Sequence, residues 1–344
     1  MNRFLLLITG ITLFFLGCKS DDVSHEKKIH GVSLVASKDS LAITEVKEII
    51  KVHANYVSLM PFAFMKDINH PKIIYNQEKQ WFGETSVGIS QHKELLDSLH
   101  IQVMLKPQLW VWNGLFTGDI VMTNEADWIA LEQQYENYIL DFASLASQLN
   151  IAIFCIGTEL HQFVVNRPDF FKRLIKKIRT IYHGKLTYAE NWDVYQEVPF
   201  WNELDYIGID AYFPLSEKKT PSLTDLKSGW EVHKETMKNF AAKKRKQVVF
   251  TEYGYRSIDF SGKEPWKHDR SKLPANYEAQ TNCLLSLYQN IWDEPWFAGG
   301  FLWKWFPQGG NHISEQNRFT VQEKPSQTVL ERFFEQRNNE VMKK

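Results

Sequence analysis

From residue 31 onward, short apolar runs alternate with longer stretches whose apolar positions recur every three or four residues. The runs Gly31 to Val35, Tyr56 to Met60, Gln102 to Lys106, Ile151 to Ile156, Lys185 to Ala189, Tyr206 to Ile209, Gln247 to Thr251 and Gly300 to Trp303 predict eight strands. Helical spacing marks Ile43 to Val52, Gln91 to Leu99, Glu125 to Leu149, Pro168 to Tyr182, Leu223 to Lys243, Asn276 to Trp292 and Gln327 to Glu340. Pro61 and Pro107 end the second and third strands. The connection after the fifth, Asp193 to Leu204, holds Pro199 and shows no clear helix. Strands followed by helices imply a parallel sheet. Eight repeats in about 310 residues predict an α/β fold, a single (β/α)8 TIM barrel over residues 30–344. A doubly wound open sheet is the alternative, but the first strand lacks the Gly-rich phosphate turn that such sheets carry.

The first residues follow a different pattern. Arg3 precedes an apolar run from Phe4 to Leu16, too short for a comfortable membrane span and suited to the apolar part of an export signal. Phe15-Leu16-Gly17-Cys18 resembles a bacterial lipobox, with Phe15 where Leu is usual. That resemblance implies a signal peptide over 1–17, lipidation of Cys18, a polar tether over 18–29, and an exported, membrane-anchored lipoprotein. Lys19-Ser20-Asp21-Asp22 is weakly similar to the acidic signals of surface-displayed lipoproteins. An ordinary cleaved signal, or an uncleaved anchor, is the plainer reading.

Composition narrows the function. The 344 residues carry a net charge of −1, with 44% hydrophobic and 24% charged residues, which argues against disorder and against a nucleic-acid binder that relies on bulk positive charge. The basic run from Lys243 to Lys246 follows a helix and reads as a solvated helix end. Aromatic residues reach 14%, which suits either a large aromatic core or a cleft lined with flat rings. Besides Cys18, only Cys155 and Cys283 occur, both within apolar patterns, and no disulfide is expected. No zinc, EF-hand or HExxH spacing is present, so no metal or cofactor is expected.

In a barrel the strand ends face the active site. Those ends hold Lys106 and Gln108, with Trp110 and Trp112 just beyond; Glu159 and His161; Glu190, Asn191 and Trp192; Asp210 and Tyr212; Glu252 and Tyr253; and Trp303 and Trp305. Glu159 and Glu252 end apolar strands four and seven, across the mouth from one another. A carboxylate is rarely buried without a partner or a purpose. A salt bridge to a neighbouring strand end would explain either one alone, but less readily both in matching positions. Retaining glycosidases use two carboxyls about 5–5.5 Å apart, and inverting enzymes about 6.5–9.5 Å. Tyr212 is a candidate hydrogen-bond donor to Glu252, with Lys106 supplying positive charge nearby. Proximity to Glu252 would leave Glu159 reluctant to ionise. Trp303 and Trp305, two residues apart, share a face in a regular strand and offer a sugar floor; packing behind the barrel is the rival role. Asp210 either binds a hydroxyl or organises Tyr212. His161 either meets substrate or caps the next helix.

The motifs IGTEL, AENW, DYIGIDAYFPL, FTEYGYRS and GGFLWKWFP, in this order at strand ends, resemble glycoside hydrolase family 113 within the large clan of retaining barrel glycosidases. The resemblance runs from about residue 30 to 307. It implies cleavage of β-1,4-mannosidic linkages in mannan, glucomannan or manno-oligosaccharides by double displacement, with Glu159 as acid/base and Glu252 as nucleophile. Many clan members carry Asn directly before the acid/base to bind the sugar 2-hydroxyl. Thr158 stands there in this chain, which shifts that contact elsewhere, with Asn191 a candidate. A related β-glycosidase acting on glucan, xylan or galactoside stays open, as does a non-catalytic sugar-binding lipoprotein. A lyase or aldolase working through Lys106 is a third reading. The long connections from Pro61 to Ile89 and from Arg256 to Ala275 are candidate cleft walls.

Overall fold

The computed structural model describes residues 28–267, 273–307 and 316–342. The export signal, Cys18 and all but the end of the tether lie outside the described residues. Eight strands close into a parallel barrel in the order β1 (Ile29–Leu34), β2 (Tyr56–Leu59), β5 (Gln102–Leu105), β7 (Ile153–Thr158), β8 (Lys185–Asn191), β9 (Ile207–Asp210), β10 (Val248–Tyr253) and β11 (Phe297–Trp305), which pairs back onto β1. Closure excludes the open-sheet alternative. Three further strands, β3 (Phe62–Met65), β4 (Ile73–Ile74) and β6 (Gln108–Val111), form a small separate sheet above the barrel rim.

The barrel core follows from the period of two along each strand. Ile29, Met104, Ile153, Cys155, Ala189, Val249 and Phe301 pack together in the interior. Their strand neighbours Val103, Phe154, Leu186, Val248, Phe250 and Leu302 join the larger core beneath the helices. Each such aliphatic side chain contributes about 1.5–3 kcal/mol by leaving water. Cys155 and Cys283 are buried and free.

The helices are α1 (Ile43–Lys51), α2 (Ser86–Ser98), α3 (Glu125–Gln148), α4 (His161–Asn166), α5 (Pro168–Ile181), α6 (Leu223–Lys244), α7 (Tyr277–Asn290) and α8 (Pro325–Met342). Their starts are chemically marked. Asn124 accepts from Asp127 N at α3, Asn276 from Ala279 N at α7, and Ser222 with Asp225 closes a capping box at α6. Pro168 opens α5, where a missing N–H costs nothing. In place of a helix after β8, the chain makes two 3-10 turns, Tyr195–Glu197 and Trp201–Glu203.

The rim sheet departs from the expected loops. Pro61 and Pro107 do end barrel strands, yet each chain resumes extended pairing one residue later, and β3 runs parallel to β6 with Phe62 opposite Gln108 and Phe64 opposite Trp110. Tyr138 of α3 donates to Pro61 O and Gln108 O, both at 3.1 Å, and so braces the two corners.

Candidate active site

The barrel mouth collects four carboxyl groups, Glu159, Glu190, Asp210 and Glu252, and the ammonium of Lys106. Lys106 follows β5 and is fully buried. Its Nζ lies 2.6 Å from Glu252 Oε1 and 3.1 and 3.2 Å from the two oxygens of Asp210. Burial alone would lower its pKa, but the carboxylates of Asp210 and Glu252 outweigh that and raise it. Lys106 is therefore a fixed cation. Tyr212 donates to Glu252 Oε2 at 2.7 Å, and Gln108 Nε2 donates to Oε1 at 3.2 Å. Burial and the neighbouring Glu252 keep the Tyr212 phenol protonated. Glu252 thus receives three donors, one of them charged.

Strand irregularities aim these groups. β10 slips register against β9 between Phe250 and Glu252, so Thr251 and Glu252 both reach Asp210: Thr251 Oγ1 donates to Asp210 Oδ1 at 2.7 Å, and Glu252 pairs with Asp210 in the ladder. β7 slips between Cys155 and Thr158, and Glu159 next takes φ 49, in the left-handed region. Its backbone N–H is satisfied by Ala189 O at 2.8 Å. Glu159 is half-buried. Burial, then the charges of Asp210 and Glu252, push its pKa well above the ordinary carboxylate range; Lys106 pulls down and Glu190 pushes up. Asp210 is raised to about 7 by burial and by Glu252. Burial is thus the first cause of the raised Glu159 pKa, and the negative charge of Asp210 and Glu252, which share the one ammonium, adds to it.

Other expected site residues fall in different surroundings. Asp210 accepts from Lys106 and Thr251, and its charge is among the causes that raise the Tyr212 phenol. Asn191 lies at the mouth end of β8, its Oδ1 accepting from Trp192 N at 3.0 Å. His161 opens α4 without capping it; its ring lies 3.9 Å from Glu190 and 3.4 Å from Glu197. Trp192 is half-buried and stacks on Trp266, centroids 5.3 Å apart. Trp110 and Trp112 are 48% and 50% exposed. Trp303 is half-buried at the mouth.

Two expectations are corrected. Tyr253 does not face the mouth: after the slip in β10 it packs outward against Tyr288 and Trp292, fully buried. Trp305 does not share a face with Trp303. Between Val32 and Leu34 of β1, the partner strand advances from Leu302 to Trp305, so an extra residue breaks the alternation and sends Trp305 into the core.

Two strand-end residues were given no role by the sequence. Gln108 touches Glu252, and Glu190 is a fully buried carboxyl beside the acid/base candidate. Glu190 accepts from Tyr188 OH at 3.1 Å and Asn191 N at 2.9 Å; burial raises it to about 7. Both stand at strand ends, and Glu190 carries the same signal as Glu159 and Glu252, a carboxylate closing an apolar strand. Among the described residues, no three His, Cys, Asp or Glu side chains gather as a metal site.

A parallel eight-stranded barrel with a glutamate at the mouth ends of strands four and seven, one of them with its pKa raised well above the ordinary carboxylate range, has the arrangement of the barrel glycosidases. The model of Glycoside Hydrolase Family 113 matches residues 36–324, and the chain belongs to that family and is a glycoside hydrolase. Solved structures agree in fold. A family 113 β-mannanase from Alicyclobacillus acidocaldarius is 23% identical, with a TM-score of 0.80 over 91% of this chain and 98% of its own. A second family 113 β-1,4-mannanase is 20% identical, with a TM-score of 0.78 over 90% of this chain and 99% of its own. A β-glucuronidase from Bifidobacterium dentium is 16% identical, with a TM-score of 0.56 over 90% of this chain but 46% of its own. No curated protein matches the sequence at a significant level.

Proposed function

We propose that this chain is a retaining glycosidase that cleaves β-1,4-mannosidic linkages in mannan, glucomannan or manno-oligosaccharides. The observation that carries the reading is the pair of mouth glutamates in matching positions at strands four and seven; the resemblance to the retaining barrel glycosidases supports the retaining course. Glu252, held by Lys106, Tyr212 and Gln108, is built to attack the anomeric carbon. Glu159, its pKa raised, is built to protonate the leaving oxygen and then to deprotonate the water that releases the sugar. The mannanase neighbours support the substrate.

The test incubates the full chain with mannohexaose and cellohexaose beside a Glu252→Gln variant. The expected result is cleavage of the mannan oligomer with retained anomeric configuration by NMR, and at least a thousandfold loss of kcat in the variant, on the order expected for a lost nucleophile. Cleavage of cellohexaose alone would overturn the substrate, and an inverted product would overturn the mechanism. The Phe15-Leu16-Gly17-Cys18 segment supports a further reading of the enzyme as a lipoprotein anchored through Cys18.

A further inference from the structure

The rim sheet has two unlike faces. Ala63, Met65, Leu109 and Val111 are buried on one side. On the other side stand Phe62 and Phe64, half-buried, and Trp110, 48% exposed. Strand alternation puts Gln108 and Trp110 on one face, and the ladder sets Phe62 beside Gln108 and Phe64 beside Trp110. This aromatic face is therefore continuous with the reacting centre, because Gln108 Nε2 lies 3.2 Å from Glu252 Oε1. Neighbouring strands are about 4.8 Å apart and same-face residues about 7 Å apart along a strand, so the three rings tile an area comparable with a pyranose ring and its linkage. Tyr138 fixes the sheet from behind through both proline corners, which makes the wall rigid.

We propose that this face is a stacking wall for β-linked hexopyranose oligomers, receiving the sugars on one side of the cleaved bond, with Trp110, Phe64 and Phe62 as its stacking residues. Aromatic rings present a flat apolar surface to the C–H faces of pyranoses while their hydroxyls stay in water, which is why exposed rings here are useful rather than costly. The wall adds binding for long substrates and leaves the chemistry to Glu159 and Glu252. The inference rests on the glycosidase reading above and extends it to chain-length preference.

The experiment compares wild type, Trp110→Ala, Phe64→Ala and Trp110→Phe on mannotriose and mannohexaose. The alanine variants are expected to lower the hexaose-to-triose ratio of kcat/KM about tenfold, mainly through KM, and to shift the hexaose cleavage position. Trp110→Phe is expected to recover most of the ratio. An unchanged ratio with intact thermal unfolding would overturn the wall. If wild type cleaves neither oligomer, the substrate reading has failed, and calorimetry with manno-, cello- and xylo-oligomers then judges the wall separately. Tighter binding of at least one hexamer than of its trimer, lost in Trp110→Ala, supports it; no dependence on length in any series overturns it.

Discussion

Lys106 is fully buried, and among the described residues its ammonium pairs with Glu252 and Asp210. Removing it would strand two buried carboxylates, the costly half of breaking a buried ion pair. Glu190 is the complementary case, a buried acid with no cation at hydrogen-bond distance. Its pKa of about 7 lies above the ordinary 4.5 for burial, then Asn191 and Tyr188 as opposing hydrogen bonds. Folding therefore takes up a proton between these two values, and stability falls as the pH rises through that window. Glu190→Gln should remove this dependence. Measured by denaturant unfolding, the variant should gain on the order of 2–3 kcal/mol relative to wild type between pH 4.5 and pH 8, and a constant difference across that range would refute the assignment. Because Glu190 also adds to the raised pKa of Glu159, the same variant should move the alkaline limb of activity to lower pH. At this scale the sequence showed which strands end in carboxylates. It did not show side-chain direction at Tyr253 or Trp305, because a one-residue slip reverses the face and leaves no mark in composition.

Among the elements, the eight barrel strands and seven long helices were legible because their periods differ, two against 3.6. The rim sheet was not. Pro61 and Pro107 are stop signals in a strand pattern, and the four-residue segments beyond them are too short to show a period of their own. Here the prolines mark corners between two sheets, with Gln108 N bonded to Pro61 O at 2.9 Å. The short α4 was hidden for a related reason, since six residues give fewer than two turns. Strand spacing itself depends on Gly208 in β9. A methyl group there would lie 2.1 Å from Tyr188 O and 2.6 Å from Thr187 Oγ1, in the ladder that carries Glu190 and Asp210. Gly208→Ala should cost about 3 kcal/mol in thermal or denaturant unfolding, since backbone cannot yield as a side chain can. A loss below about 0.5 kcal/mol would show that β8 and β9 move apart freely.

For the whole molecule, closure is what brings residues 146 positions apart, Lys106 and Glu252, into contact. Among the described residues no helix is long and apolar enough to cross a membrane. The lipoprotein reading places the attachment at Cys18. Labelling of cells with an alkyne fatty acid should tag the full chain and not a Cys18→Ser variant; equal labelling of both would end the lipoprotein reading. The barrel adds a constraint on any such attachment. Parallel strands give every β1 and β2 start to one end and every catalytic residue to the other. Lys28 Nζ is fastened to Glu294 O at 2.8 Å and to Phe297 O, just before β1 and at the start of β11. Near the other terminus, Asn338 of α8 donates to His53 O at 3.0 Å, on the turn that leads into β2. Both ends of the described chain thus leave from the floor of the barrel. Whatever holds this enzyme directly at either of these described ends, a fused module or a bead, grips it from behind and leaves the open side turned outward, toward polymer arriving from solution.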